Sequence, residues 1–142
     1  MLRLFAPSPA DAHPTAEPPL AGPLRAWASG IYPDEAACDL LISQATWLAR
    51  SDFRDQFVHP GTSLGGTELA CIDWSAAVDA LNEGNLPCSA GEERILRLAA
   101  SLGEDLPVNL RDATTGIDTC NAGLLSQAVL HANGQRPAAS PW

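Results

Sequence analysis

Residues 87–134 read PCSAGEERILRLAASLGEDLPVNLRDATTGIDTCNAGLLSQAVLHANG, and this stretch decides the fold because it holds three consecutive helix signals. Ser89 and Glu92 have the spacing of a capping box, in which each side chain bonds the backbone N–H of the other residue. Apolar residues then recur every three to four positions, and Gly103 can adopt a positive φ without strain. The pattern predicts a helix over residues 90–102.

Two further helices follow in the same stretch. Asn109 is a suitable N-cap for a short helix over residues 110–115. Asp118 caps the last helix, 118–133, which ends at the C-terminal signal Asn133-Gly134. The predicted apolar face of this last helix comprises Leu124, Leu125, Ala128, Val129 and Ala132. Three helices in fewer than fifty residues have to share one core.

Upstream, the pattern predicts further helices. One begins near Pro33, which suits the first helical turn, and its buried side extends to Leu48. A short helix follows Ser51 and places Phe53 and Phe57 four residues apart on one face. Asp73 caps another helix, whose apolar residues are Trp74, Ala77, Val78 and Leu81.

The segment between these helices carries the only β signal. Residues 61–67 are rich in glycine and are predicted to be a flexible connection. Residues 68–72 have the composition of a strand, but the sequence shows no partner for it. We therefore expect at most minor β content.

Together these signals predict a mostly α fold, a small single-domain bundle of about five helices over residues 34–134. Residues 1–33 contain seven of the 12 prolines and too few large apolar side chains to offset chain entropy, so they are predicted to form a disordered arm. Leu24 and Trp27, near its end, are the exceptions, as residues able to pack back on the domain. Residues 135–142 are predicted to be a flexible tail. The predicted core comprises Trp47, Trp74, Ile95, Leu98, Leu102, Leu110, Leu125 and Val129.

The charge of the chain is strongly acidic, with a formal net charge of −9 and no lysine. Over residues 34–134, fifteen acidic residues against five arginines leave a charge of −10. A field of this sign repels phosphate backbones and anionic membrane surfaces. It favours either solubility alone or a basic partner, and nucleic acid is not expected as a direct ligand without a further protein.

The four cysteines, Cys38, Cys71, Cys88 and Cys120, form no Cys-x-x-Cys pair. Zinc sites usually take two ligands from one tight turn, so we predict no metal site. The apolar run at the start of the chain is too short for a secretory signal, and no stretch has the length of a membrane span. These features predict a cytoplasmic protein with reduced thiols and no membrane association.

No catalytic or cofactor-binding residue is predicted. The glycine-rich residues 61–67 lack the Gly-Lys-Ser/Thr of a phosphate-binding loop. His59 precedes a proline and His131 lies near a helix end, and neither is placed by sequence beside a nucleophile. The neighbouring acids Glu92 and Glu93 point in different directions on a helix, which argues against a shared catalytic proton.

Several short blocks resemble a family of small actinobacterial proteins that are often carried on mobile elements. These blocks are Trp47-Leu48-Ala49-Arg50, Ile72-Asp73-Trp74, Leu86-Pro87-Cys88-Ser89, Leu98-Ala99-Ala100-Ser101-Leu102, Leu110-Arg111-Asp112-Ala113 and Ala128-Val129-Leu130-His131-Ala132. The resemblance covers roughly residues 34–134. Because the family has no assigned activity, it implies a bacterial cytoplasmic origin and nothing about chemistry.

Three functions remain open at this point. The first is a non-catalytic acidic helical module that binds another protein as an accessory or regulatory factor. The second is a helix-turn-helix-like DNA-binding protein, because the short helix, the turn at Gly116 and the longer helix 118–133 have the right order. That last helix offers no Arg or Lys to DNA, which weakens the second reading. The third is a small enzyme of undetermined type.

Overall fold

The computed structural model describes residue 18 and residues 20–135. Within this part of the chain the backbone forms eight helices and one two-stranded sheet, which confirms the mostly α fold class but not the predicted number of about five helices. The elements are α1 (Ala21–Ala28), α2 (Tyr32–Gln44), α3 (Thr46–Ala49), α4 (Ser51–Phe57), β1 (Val58–Thr62), β2 (Glu68–Ile72), α5 (Trp74–Asn82), α6 (Ala90–Glu104), α7 (Leu110–Thr114) and α8 (Thr119–Ala132).

Helix α2 lies at the centre of the fold and packs against α1, α6 and α8. Pro33 occupies its first turn, with Asp34 and Glu35 beside the positive end of the helix dipole. Ala45 adopts a left-handed conformation with a φ of 71°, and its N–H caps the helix by donating to Leu41 O. The helix that the sequence predicts as continuous to Leu48 is therefore divided into α2 and α3. No glycine or proline marks this break in the sequence.

Helix α6 has the capping box that the sequence predicts. Ser89 Oγ accepts from the N–H of Glu92 at 3.1 Å, and the Glu92 carboxylate accepts from the N–H of Ser89 at 2.9 Å. The helix does not stop at Gly103 but continues to Glu104, and Asp105 provides the left-handed cap. Gly103 has a different role, because a Cβ atom there would lie 2.7 Å from Cε2 of the Trp74 ring on α5.

The extended segment 68–72 pairs with a second strand, β1, whose composition is not typical of a strand. Strand β1 pairs with β2 in antiparallel register, with Val58 opposite Ile72 and Thr62 opposite Glu68. Pro60 argues against a strand at this position in the sequence. A proline is tolerated on an edge strand, however, because its missing N–H is not needed there. Residues 63–67 close the hairpin, so only part of the predicted flexible connection is a loop. The β content is minor, as predicted.

Helix α1 lies inside residues 1–33, the segment predicted to be a disordered arm. It packs against β2 and α2, and its buried residues are Ala21, Leu24 and Ala28. The prediction is therefore wrong for residues 20–33, because three apolar residues at helical spacing bury a face in spite of the nearby prolines. Of the remaining part of the predicted arm, only Pro18 is described. Of the predicted tail, only Gln135 is described, and its N–H donates to Leu130 O at 2.9 Å.

The core forms where α2, α3, α5 and α6 meet. Four predicted core residues are buried: Trp47, Trp74, Ile95 and Leu98. Leu102 and Leu125 are partly buried against the core. Leu110 and Val129 are exposed by 64% and 55%, so their placement in the core is wrong. Both lie on helices in which only one residue is buried, Ala113 in α7 and Ala128 in α8.

Trp47 connects α3 to the start of α6. It is fully buried, and its indole Nε1 donates to Glu92 O at 3.0 Å. Its ring also packs against Phe53, with the ring centroids 5.4 Å apart. A buried tryptophan needs a partner for its N–H, and the first turn of α6 supplies a carbonyl oxygen.

Candidate functional site

The most polar contact between helices joins α1, α2 and α8. Glu35 and Asp39 lie one turn apart on the same face of α2, opposite the last turn of α8. His131 Nε2 lies 2.7 Å from Glu35 Oε1, and His131 Nδ1 lies 3.4 Å from Asp39 Oδ2. Arg25 on α1 donates through Nε to Asp39 Oδ1 at 2.9 Å. We call these four residues the polar clasp.

The polar clasp also fixes the turn between α1 and α2. The second oxygen of Glu35, Oε2, accepts from the N–H of Gly30 at 2.7 Å. Gly30 has a φ of 98°, a conformation that favours glycine. Glu35 thus holds both the preceding turn and the end of α8, which places three separate parts of the chain around one carboxylate.

A two-lobed cleft opens beside the polar clasp. The larger lobe has a volume of about 260 Å³ and the smaller one about 170 Å³, and Arg25, Asp39 and His131 border both. The larger lobe has an apolar floor formed by Ala36, Leu40, Leu124 and Ala128. Ser43 and Gln127 stand at its mouth. An apolar concavity with a few convergent polar groups is the usual form of a binding site.

The contacts of His131 show whether it is placed to act as a general base in this cleft. Ser43, His131 and Asp39 border the same cavity, which suggests a catalytic triad on residue types alone. Both ring nitrogens of His131 already face carboxylate oxygens, however, at 2.7 and 3.4 Å. A general base needs one nitrogen directed at the group it deprotonates. The cleft is therefore better arranged to bind and orient a ligand than to transfer a proton.

Sequence reasoning placed His131 near a helix end but did not find the polar clasp. The available signal was the spacing of Glu35, Asp39 and Ser43, which recur every four residues and so share one helix face. Nothing in the sequence identifies His131, 96 residues away from Glu35, as the partner of that face.

The other residues considered from the sequence do not assemble a site. His59 is exposed on β1, and its Nε2 lies 3.9 Å from Asp73 Oδ2. Glu92 serves the capping box, whereas Glu93 accepts from Arg97 Nε at 2.9 Å, so the two neighbouring acids act separately. Across the described part of the chain, no group of three or more His, Cys, Asp and Glu side chains is arranged to hold a metal ion.

The four cysteines have free thiols. Burial, together with the nearby carboxylates of Asp39 and Asp34, raises the pKa of the Cys38 thiol to about 12. Burial likewise raises the pKa of Cys88. A reactive cysteine requires the opposite, a lowered pKa that yields thiolate at neutral pH. Neither thiol is therefore prepared as a nucleophile.

Large apolar side chains are exposed mainly on two segments, one from the last turn of α1 to the first residue of α2 and the other in the last turn of α8. Five of the seven such residues that the described chain exposes lie there: Trp27, Ile31, Tyr32, Val129 and Leu130. The two segments meet, because the Tyr32 ring packs against Gly134 and the clasp joins Glu35 to His131. We call these five residues the apolar end. Clustering of this kind marks an interaction site, whereas single exposed residues do not.

The geometry of α8 differs from that of a recognition helix. In a helix-turn-helix the last helix packs on the short helix before it and presents a basic face to DNA. Here α8 packs mainly on α2, with a smaller contact to α6. The helix contains no Arg or Lys, and its His131 is held by the clasp.

A second groove, of about 390 Å³, lies between α6 and α7. Arg94 and Arg97 border it, but so do the acidic side chains of Glu93 and Asp112. Its charges are therefore balanced, and the groove has no marked preference for an anion or a cation.

No described helix combines the length and the apolar character that crossing a membrane requires. The chain matches no protein-family model, no curated protein sequence and no solved structure. The resemblance to an actinobacterial family accordingly stays a prediction, and the site has to be interpreted from its own chemistry.

Proposed function

We propose that this protein is a non-catalytic acidic helical module that binds another protein through the apolar end. The observation that carries the proposal is the concentration of five exposed apolar side chains on two segments that meet. Tryptophan and tyrosine are the residue types that contribute most often to binding energy at protein interfaces. Two of the five, Trp27 and Tyr32, are of this kind.

The charge of the molecule indicates which charge the partner should carry. Only Pro33 separates Tyr32 from Asp34 and Glu35, and residues 34–134 carry a charge of −10. Like charges oppose association of two copies through this surface, whereas a basic partner is attracted to it. We therefore propose a partner that combines an apolar patch with basic residues. A cytoplasmic location, in which the four thiols stay reduced, is part of the same proposal.

The test is capture of partners from the native host by tagged protein, with two double variants compared. Ile31→Ser with Leu130→Ser removes apolar area from the apolar end. Leu64→Ser with Leu110→Ser removes similar area elsewhere, and Leu64 and Leu110 are as exposed or more so. We expect the first pair to lose a specific protein that the wild type and the second pair both retain, and added salt should weaken its capture.

Equal capture by both double variants would contradict the proposal. Binding of duplex DNA by the purified protein would instead support the helix-turn-helix alternative, with residues 118–133 as the recognition helix. A steep dependence on salt, or a specific shift that survives competitor DNA, would identify that outcome. Turnover in a general hydrolase screen would support the enzyme alternative.

A further inference from the structure

The polar clasp contains a histidine whose two ring nitrogens both face carboxylates. His131 Nε2 lies 2.7 Å from Glu35 Oε1, and His131 Nδ1 lies 3.4 Å from Asp39 Oδ2. A neutral imidazole has one N–H and one bare nitrogen, whereas the imidazolium has two N–H donors, and an ionised carboxylate can only accept. The protonated ring can therefore satisfy both contacts. A neutral ring leaves one lone pair directed at a carboxylate oxygen.

The formal charges of the polar clasp balance in the same state. Arg25 on α1 pairs with Asp39 at 2.9 Å and offsets one of the two carboxylates. A proton on His131 offsets the other, so the four charges sum to zero, and loss of that proton leaves a net negative charge. The side chains of His131 and Glu35 are 24% and 26% exposed, so water and salt screen their attraction only in part.

The groups around the polar clasp make His131 the residue that responds to pH near neutrality. Histidine is the side chain that ordinarily changes its charge between about pH 5 and 8. Asp34, which precedes Glu35 on α2, adds negative charge at this end of the helix. Burial raises the pKa of the Cys38 thiol on α2 to about 12, so this thiol stays neutral in that range. Helix α6 meets α8 near Asn121, close to the start of α8 and far from His131.

The last turn of α8 depends on this contact more than the rest of the helix does. Ala128 is the buried residue of α8, whereas the next two residues, Val129 and Leu130, are exposed. Directly after them, His131 joins the turn to Glu35 at the start of α2. The polar clasp thus holds together the two segments that form the apolar end.

We propose that the polar clasp is a proton-dependent latch. It keeps the last turn of α8 on α2 while His131 carries a proton, and it releases that turn when the proton is lost. Release separates the two segments of the apolar end, so binding of the partner weakens as pH rises. The latch follows from the contacts of His131, whereas its effect on the partner rests on the proposed function.

The test of the latch is the ¹⁵N heteronuclear NOE of the full chain, which reports how rigid each backbone amide is, at about pH 5.5 and about pH 8. We expect the NOE values of residues 129–134 to fall at the higher pH, while those of α6 stay constant. His131→Gln removes the titrating ring and should give low values for residues 129–134 at both pH values. His59→Gln makes the same change at an exposed position on β1 and should behave as the wild type.

The α6 amides show whether a variant remains folded, so a loss confined to residues 129–134 reports on the latch. Equal NOE values at both pH values in the wild type would overturn the inference. A fall at the higher pH that persists in His131→Gln would also overturn it, because the titrating group would then lie elsewhere.

Capture of the partner at the same two pH values separates this inference from the proposed function. We expect the wild type to bind about 5-fold more weakly at the higher pH, and His131→Gln to bind weakly at both. If capture is independent of pH but is lost by Ile31→Ser with Leu130→Ser, the proposed function stands and the latch does not control it. If that double variant captures as much as the wild type while the NOE values change as expected, the latch stands and the proposed surface is wrong.

Discussion

Helices α6 and α8 are close in length, at 15 and 14 residues, yet they have different roles in the molecule. Each begins with a side-chain cap, Ser89 for α6 and Asp118 for α8. In α6 five residues are fully buried: Ile95, Leu96, Leu98, Ala99 and Ala100. In α8 only Ala128 is.

The difference arises from what covers each helix. Helix α6 packs against α2, α3, α5, α7 and α8, whereas α8 packs mainly on α2 with a smaller contact to α6, and all its residues except Ala128 are exposed or half-buried. An apolar repeat thus predicts a helix but not how many of its sides other elements cover. Here the enclosed helix provides stability, and the half-covered helix provides the apolar end and the cleft.

Truncation of a core residue should give the largest effect. Leu98→Ala on α6 leaves a cavity and should cost about 2–5 kcal/mol of unfolding free energy. Val129→Ala on α8 should change it by no more than about 0.5 kcal/mol, because the side chain is exposed. Chemical denaturation measures both. A loss below about 0.5 kcal/mol for Leu98→Ala would place α6 at the surface and remove the contrast.

Two glycines allow the same substitution on both helices. Gly103→Ala on α6 forces the new Cβ against the buried Trp74 ring, so it should destabilise the protein by about 1–3 kcal/mol. Gly123→Ala on α8 meets nothing within 4 Å and should stabilise it by about 0.5–1 kcal/mol through helix propensity. Thermal unfolding of both variants provides the measurement. Destabilisation by both substitutions would show that Gly123 is as tightly enclosed as Gly103, and stabilisation by both would show that Gly103 does not lie against the Trp74 ring.

The buried thiol on α2 predicts a dependence of stability on pH. Burial raises the pKa of Cys38 from 9.0 to about 12, so above pH 9 the unfolded state releases a proton that the folded state keeps. Stability should therefore fall as pH rises above 9, by about 1.4 kcal/mol per pH unit at most. Comparison with Cys38→Ala isolates this effect from other groups. Parallel pH profiles of the wild type and the variant would mean that Cys38 is not buried in the folded state.

Much of the helical framework could be predicted from the sequence, because its determinants are local. The capping box at Ser89, the cap at Asp118 and the spacing of Phe53 and Phe57 depend on neighbouring residues only. The break at Ala45 could not be predicted, since an alanine with positive φ is imposed by the packing of α2 and α3. The same holds for β1, whose pairing with β2 depends on contacts across the hairpin.

The candidate site was less accessible to prediction. The face of α2 that carries Glu35 and Asp39 is visible in the sequence, but its partners on α1 and α8 are distant in the chain. The exposure of Val129 depends on which sides of α8 are covered, and periodicity does not specify that. Local signals therefore identified most of the helices, but α1 and the separate α3 were missed, and the tertiary contacts that form the cleft required the structure.

The most direct test of the division between α6 and α8 is hydrogen exchange of the protein alone and with its captured partner. We expect the partner to slow exchange of the backbone amides in residues 27–35 and 127–134. The amides of α6 should exchange slowly in both states and change little on binding. Protection that appears instead on the hairpin or on α7, with none at residues 27–35 and 127–134, would contradict the account.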